Sequence, residues 1–172
     1  MSFPEHDHPE GEEIFVLEGT FRDEHGSYPA GTHVLNPPGS SHKPHVGEDG
    51  CTIFVKLRQY AGQRQRLVSH ESERTWAPHS SYDNLDFVDF YRDSDFNEVI
   101  MLVKIAPGTR LPTVYMPRGD AFFVLDGDFH DENGHYRKWS WISYSAGSQH
   151  NPWTDNGCTL YITKGGVGVP KS

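Results

Sequence analysis

Four side chains that could bind a metal ion occur in two short segments near the start of the chain. His6 and His8 are two residues apart, so in an extended strand both project to the same face. Glu12 follows after a turn and begins the next apolar run, and His42 ends the segment "PPGSSH". Imidazole nitrogen and carboxylate oxygen together suit zinc, iron(II), manganese or nickel. We therefore predict that His6, His8, Glu12 and His42 bind one divalent metal ion.

Glu13 is the rival carboxylate, because it is adjacent to Glu12 in the sequence. Neighbouring residues of a strand point to opposite faces, so Glu13 is predicted to point outward while Glu12 faces the metal. Most of the remaining histidines are interpreted as surface or turn residues, namely His25, His33, His70, His79, His130 and His135.

The chain contains an internal repeat with an offset of 108 residues. The segment "EEIFVLEGTFRDEHGSY" (residues 12–28) aligns with "DAFFVLDGDFHDENGHY" (residues 120–136), and the ungapped match continues to Pro44 and Pro152. Similarity of this length within one chain indicates that one structural unit was duplicated.

The second copy has lost most of the candidate ligands. Its residues at the four equivalent positions are Val114, Met116, Asp120 and His150. Valine offers no donor atom, and a methionine thioether is a soft ligand that matches poorly with a carboxylate. The second copy is therefore not expected to bind a metal tightly, and we interpret its interior as an apolar pocket or as core. The aromatic residues Trp139, Trp141, Tyr144 and Trp153 could form core, interface or ligand wall; we favour core, because the alternation of Trp139 and Trp141 fits one buried strand face.

The sequence predicts an all-β fold, because short apolar runs are separated by turn signals throughout both copies. The first unit spans residues 1–58 and the second residues 85–172, with a polar connector at 59–84. The second copy has a full strand before Pro112, whereas only three residues precede Pro4 in the first. An unpaired sheet edge is a liability. The missing strands are either absent, supplied by another chain or replaced by part of the connector. Of these we favour a partner subunit that covers the edge in a homodimer.

Composition argues against several classes of function. The formal net charge is -9 at pH 7, whereas nucleic acid binding needs a concentrated positive surface. The apolar runs are too short to cross a bilayer, and the acidic start lacks the features of a secretory signal. Cys51 and Cys158 form neither a disulfide framework nor a CxxC metal motif. These observations predict a cytoplasmic protein with no nucleic acid and no membrane partner.

The two metal-binding segments resemble the two motifs of the cupin superfamily. The spacing HxHx3Ex6G is filled by His6, His8, Glu12 and Gly19, and the spacing Gx5PxGx2H by Gly31, Pro37, Gly39 and His42. This resemblance implies two tandem cupin barrels of the jelly-roll type, with a metal inside the first. More narrowly, the segment "GEEIFVLEGTFRDEHGSYPAGTHVLNPPGSSH" is similar to the cupin domain of ChrR-type anti-sigma factors.

What the resemblance implies about function leaves three alternatives. In the ChrR-type family the domain binds zinc and takes part in the response to oxidative stress, which implies zinc as the metal and the sensing of a small ligand or an oxidant at open metal positions. Related cupin dioxygenases bind iron and cleave diketones or acyl phenols, so an enzyme of this kind is the alternative. A structural dimerisation module with a residual metal is the third.

The resemblance to ChrR-type regulators is incomplete in one respect. Those proteins bind their sigma factor through a separate helical zinc domain with a His-x3-Cys-x2-Cys signature. This chain has no such motif, and its two distant cysteines cannot form one. Direct binding of a sigma factor is therefore not expected.

Overall fold

The computed structural model describes residues 2–57, 60 and 62–166. These residues form sixteen β-strands and one short 3-10 turn, which confirms the predicted all-β fold. They divide into two compact units, one ending at Arg74 and the other starting at Thr75. Within the described part of the chain, no helix has the length and apolar character needed to cross a membrane.

The first unit contains strands β1 (His6–His8), β2 (Glu12–Asp23), β3 (Gly26–Pro29), β4 (His33–Asn36), β5 (Ser40–His42), β6 (His45–Leu57) and β7 (Leu67–Ser69), followed by the 3-10 turn Glu71–Glu73. The second unit contains β8 (Ala77–Pro78), β9 (Leu85–Arg92), β10 (Val99–Ile105), β11 (Val114–Met116), β12 (Asp120–Asp131), β13 (Gly134–Arg137), β14 (Trp141–Tyr144), β15 (Ser148–His150) and β16 (Cys158–Lys164).

The internal repeat is visible strand by strand, because β1 to β6 correspond to β11 to β16. In the first unit β1 pairs with β5, and the main sheet has the order β3-β2-β4-β7 with β6 also paired to β2. In the second unit β11 pairs with β15, and the main sheet has the order β13-β12-β16-β10-β9-β8 with β14 also paired to β12. The small strand pairs place His6 opposite His42 and Val114 opposite His150.

A glycine at the same point of both copies permits the same β-bulge. The pairing of β2 with β6 shifts register after Val16, and that of β12 with β16 shifts after Val124. Gly19 and Gly127 follow these shifts with φ angles of 72° and 77°. A β-carbon on Gly127 would lie 2.0 Å from the carbonyl oxygen of Gly157, so a larger residue cannot be accommodated there without moving the backbone.

The two units differ at the edge where the sequence predicted missing strands. In the second unit β16 lies between β12 and β10, and β9 and β8 extend the sheet further. Among the described residues of the first unit, no strand corresponds to β9 or β10. Val55 and Leu57, near the end of β6, are 40% and 49% exposed.

Part of the segment predicted to be a connector contributes strands to both units. Strand β7 pairs with β4 in the first unit, and β8 pairs with β9 in the second. The guanidinium of Arg74 donates hydrogen bonds to the carbonyl oxygens of Gly31 and Ser69, which fixes the segment after β7 to the first unit.

The core differs from the prediction at two tryptophans. Trp139 and Trp141 are 42% and 45% exposed, so the prediction that they belong to the core is wrong. Trp139 has a φ of 71° and lies before the start of β14, so the alternation of an extended strand does not include it. The core of the second unit is instead built from aliphatic and aromatic residues of the central strands, including Phe122, Phe129 and Leu160.

Glu13 and His33 are buried, which corrects the prediction that both lie at the surface. Glu13 does face away from Glu12, but the far side of β2 is covered as well. Its carboxylate lies 2.7 Å from Lys56 Nζ and 3.3 Å from His33 Nε2. Although burial raises the pKa of Glu13, the Lys56 cation and the contact with His33 together outweigh burial and hold that pKa below its ordinary value. The three residues thus form an internal charged cluster.

Replacing Lys56 by methionine tests whether the charged cluster depends on its cation. The Lys56→Met variant leaves the Glu13 carboxylate buried without its cation, which typically costs about 3–5 kcal/mol. We expect a loss of that order in the free energy of unfolding at pH 7, measured by urea denaturation. The loss should shrink as the pH falls, because a protonated Glu13 needs no cation.

The matched control removes an exposed ion pair in the other unit. Arg92 contacts Asp89 at 3.0 Å, with the arginine side chain 60% exposed. Arg92→Met should cost less than about 1 kcal/mol, as is usual for exposed pairs. Equal and small losses for both variants would show that Lys56 does not stabilise the fold.

Candidate metal centre

The three predicted histidines converge inside the first unit. One ligand nitrogen from each of His6, His8 and His42 lies within 4.8 Å of the other two. The Nε2 atoms of His8 and His42 are 3.0 Å apart. Glu12 Oε2 lies 3.4 Å from each of these two nitrogens, so the predicted carboxylate also reaches the cluster.

These separations fit ligands that share one cation. Metal–nitrogen bonds of about 2.1 Å place two nitrogens about 3.0 Å apart at a right angle and about 3.4 Å apart at a tetrahedral angle. The 3.0 Å between His8 Nε2 and His42 Nε2 and the 3.4 Å from each of these nitrogens to Glu12 Oε2 both fall in this range. A five- or six-coordinate ion held by all four residues would have positions left for water or a small molecule.

Hydrogen bonds set the tautomers of two of the histidines. His6 Nδ1 lies 2.9 Å from the carbonyl oxygen of Pro4, and His42 Nδ1 lies 3.4 Å from Asp23 Oδ2. Both acceptors require Nδ1 to carry the proton, which leaves Nε2 with a lone pair. A carboxylate behind a ligating histidine is a common arrangement at metal sites, because it orients the ring and makes it more basic.

Burial keeps His8 and His42 in the neutral form that a metal needs. Desolvation lowers the pKa of His8 and of His42, so both imidazoles are neutral at pH 7. Desolvation also raises the pKa of Glu12, which shows that its charge is costly in this position. A cation bound between these groups offsets that cost.

Arg66 connects the two groups that support the ligands. Its Nη2 donates to Tyr28 Oη at 2.6 Å, and its Nε donates to Asn36 Oδ1 at 3.1 Å. The tyrosine donates in turn to the carboxylate behind His42, and the asparagine donates to Glu12 Oε2 at 3.0 Å. One guanidinium therefore orients both a histidine and the carboxylate of the cluster.

Asp23, Tyr28, Asn36 and Arg66 are the functional residues that the sequence reasoning missed. Asp23 also has a local role, because it accepts the turn hydrogen bonds from the backbone of His25 and Gly26. The internal repeat could have identified two of these residues, because Asp23 and Tyr28 recur in the second copy as Asp131 and Tyr136.

A cavity of about 370 Å³ opens onto the four candidate ligands. Besides His6, His8, Glu12 and His42, its lining includes apolar side chains from three parts of the first unit, namely Phe3, Phe21, Ile53, Val55 and Leu57. The site therefore combines polar ligands at its base with apolar walls. This is the arrangement expected of a pocket for a small organic molecule.

The second unit keeps the supporting groups without the ligands. Its Asp131 Oδ2 lies 3.4 Å from His150 Nδ1 and also accepts the hydroxyl of Tyr144. Tyr144 occupies the position equivalent to Asn36, and its hydroxyl lies 2.9 Å from His150 Nδ1. In the first unit the nearest comparable group is Arg66 Nη2, 3.9 Å from Asp23 Oδ2.

A second group of potential ligands lies on the outside of the second unit. It consists of Asp128, His130 and His135. The two imidazole rings stack at 4.1 Å with an angle of only 9° between their planes. Because the lone pair of an imidazole nitrogen lies in the ring plane, stacked rings do not direct their lone pairs at a common point. His130 is instead paired with Asp128, at 2.5 Å.

Comparison with known families agrees with this geometry. Residues 1–61 and 64–168 match the family model described as the ChrR Cupin-like domain, so the chain belongs to that family of the cupin superfamily. No curated protein matches the sequence significantly.

Solved structures share the same architecture. A proposed dioxygenase from Nostoc punctiforme has a TM-score of 0.79 at 14% identity, over 96% of this chain and 66% of that one. Quercetin 2,3-dioxygenase from Acinetobacter baumannii has a TM-score of 0.67 at 14% identity, over 96% and 62%. Oxalate decarboxylase from Bacillus subtilis has a TM-score of 0.63 at 11% identity, over 99% and 67%.

These similarities concern the fold alone, and they confirm two tandem cupin barrels. The chain spans about two thirds of the length of each of these proteins.

The carboxylate behind His42 can be tested with a matched pair of variants. In Asp23→Asn the amide oxygen should keep the hydrogen bonds from the backbone nitrogens of His25 and Gly26 and from the Tyr28 hydroxyl. The amide NH2 group then faces His42 Nδ1. That contact favours the tautomer with the proton on Nε2, which cannot bind a metal. We expect metal affinity to fall by about 10–100-fold, measured by competition with a chromophoric chelator. Asp131→Asn makes the same change in the second unit and should leave metal affinity unchanged. Equal effects of the two variants would contradict the role of Asp23.

Proposed function

We propose that the protein is a metal-binding bicupin whose first barrel senses a small organic ligand or an oxidant at an open metal site. His6, His8, Glu12 and His42 would hold one divalent ion, with zinc as the first choice because of the kinship to the ChrR-type domain. Iron(II), manganese and nickel are compatible with the same donor atoms.

The observation that carries this proposal is the cavity above the candidate ligands. A purely structural metal site is closed around its ion, whereas a site that binds ligands keeps an open position. The cavity of about 370 Å³ reaches all four residues. It therefore supports ligand binding over the third alternative, a dimerisation module with a residual metal.

The chemistry of the cavity suggests what its ligand looks like. Polar contacts are concentrated at the base, around the candidate metal ligands, and Phe21 and Ile53 belong to the apolar wall. A molecule with one or two oxygen donors at one end and an apolar body would satisfy both regions. Diketones and acyl phenols have this form.

The second candidate function is an iron(II)-dependent dioxygenase acting on such a molecule. The lining of the cavity favours it, because apolar side chains lie beside the four candidate ligands, as a chelating organic substrate would require. Bound iron(II) would supply the electrons for oxygen chemistry. The chain would contribute the orientation of the substrate by the apolar wall and the exclusion of water from the base of the cavity.

Metal analysis and an oxygen assay separate the two candidates. Protein purified without chelators is analysed by elemental mass spectrometry, then stripped and reloaded with either zinc or iron(II). The sensor proposal predicts about one zinc per chain and no oxygen uptake with acetylacetone or 2-hydroxyacetophenone. Oxygen uptake by the iron(II) form would establish the dioxygenase.

Variants of the candidate ligands provide the controls for both measurements. His8→Ala removes one ligand, and we expect the metal content to fall well below one per chain. His135→Ala removes an exposed histidine of the second unit and should retain full metal content. Undiminished metal in His8→Ala would rule out the proposed site.

We also propose that the protein is a homodimer in which a partner subunit covers the outer edge near β6. The absence of counterparts of β9 and β10 from the described residues of the first unit supports this. Light scattering after gel filtration should give twice the chain mass. A single-chain mass for the unaltered protein would contradict the proposal.

A cytoplasmic location and the absence of nucleic acid, membrane and sigma-factor partners remain predictions from the sequence.

A further inference from the structure

A second, smaller cavity lies inside the second unit, where the first unit has its candidate metal centre. Its volume is about 100 Å³. The equivalents of Glu12 and His42, Asp120 and His150, both line it, and so does Val114, which is paired directly opposite His150. The duplication has thus left a cavity at the former metal position.

His150 offers this cavity a hydrogen-bond acceptor. Its Nδ1 contacts Tyr144 Oη and Asp131 Oδ2, so Nδ1 carries the proton and Nε2 has the lone pair. None of the described residues forms a hydrogen bond with His150 Nε2. Desolvation lowers the pKa of His150, which keeps the ring neutral. A buried acceptor of this kind is satisfied by a ligand or by water.

The surrounding walls favour an aromatic ligand. The rings of Phe122 and Phe129 lie 5.6 and 5.9 Å from the His150 ring, centroid to centroid. Partly exposed His79 and Tyr82 also line the cavity, and they mark a route from solvent. Tilted and edge-to-face contacts with a further ring are favourable in such surroundings.

Charge and size narrow the class of ligand. Asp120 is buried, with only one hydrogen bond to its carboxylate, from the backbone nitrogen of Gly165. An anionic ligand would be repelled by this carboxylate, although the exposed Lys164 lies at the rim. A cavity of about 150 Å³ admits benzene, whereas this one has about 100 Å³, so it takes at most one ring, which would extend towards the partly exposed His79 and Tyr82.

We propose that the cavity of the second unit binds a neutral phenol, a single ring whose hydroxyl donates a hydrogen bond to His150 Nε2. The site goes beyond the proposed function, because it lies in the unit without the metal ligands. The duplicated barrel would then carry two different sites, one for a metal and its ligand and one for a hydroxylated aromatic molecule.

The test uses phenol as the probe and the full chain stripped of metal with a chelator. Titration calorimetry should give saturable binding with about one phenol per chain. Anisole has the same ring but no hydroxyl proton, and it should bind about tenfold more weakly, as expected for one lost hydrogen bond to a buried group. Benzoate should bind more weakly still, because of Asp120.

Two variants locate the site. Val114→Phe places a ring opposite His150, and we expect it to weaken phenol binding by more than about tenfold because it fills the cavity. Tyr115→Phe, on the exposed neighbouring position of β11, should leave binding unchanged. The comparison of phenol with anisole requires no variant and stays decisive if Val114→Phe does not fold.

Several results would overturn the proposal. They are the absence of saturable binding, equal binding of phenol and anisole, binding of benzoate as tight as that of phenol, and unchanged binding in Val114→Phe. Binding that appears only after the metal is restored would place phenol in the first unit instead. The first four leave the proposed metal site standing, so failure here is distinguishable from failure of the metal proposal.

Discussion

The antiparallel pairing of two three-residue strands is the constraint on which the candidate metal centre depends. The pairing of β1 with β5 places His6 directly opposite His42. His8, two residues after His6 in the same strand, projects to the same side. A shift of this register by one residue would turn the histidines of β1 to the other face. Two short strands cannot hold a register by themselves. The turns that flank them and the contact between His42 and Asp23 must therefore contribute.

Comparison of the two units separates the features that the fold requires from the side chains that would bind a metal. It keeps the strand pair, the glycine-dependent bulge and the aspartate behind the histidine, although three of the four ligands have changed. The aspartate therefore also has a structural role, since Asp131 accepts backbone hydrogen bonds from Asn133 and Gly134 in a turn. These turn hydrogen bonds go to Asp131 Oδ1, so Asp131 Oδ2 is available for the contact with His150 Nδ1.

Much of the fold and the centre of the site could be predicted from the sequence, because the signals for both are local. The repeat fixed the number of units, and the spacing of His6, His8, Glu12 and His42 indicated that they converge. Arg66 was not predictable, because it lies in a segment with no periodic pattern and reaches the site only through tertiary contacts. Glu13 and His33 were misjudged because strand alternation says which face a side chain takes, not whether that face is covered.

The exchange of Asn36 for Tyr144 between the copies has a consequence for any attempt to rebuild a metal centre in the second unit. Restoring histidines at 114 and 116 and glutamate at 120 would supply donor atoms but not their support. Tyr144 stands at the position where Asn36 donates to the Glu12 carboxylate in the first unit, and its hydroxyl donates to Asp131. A metal centre rebuilt in the second unit would therefore also need a change at Tyr144, which is not itself a candidate ligand.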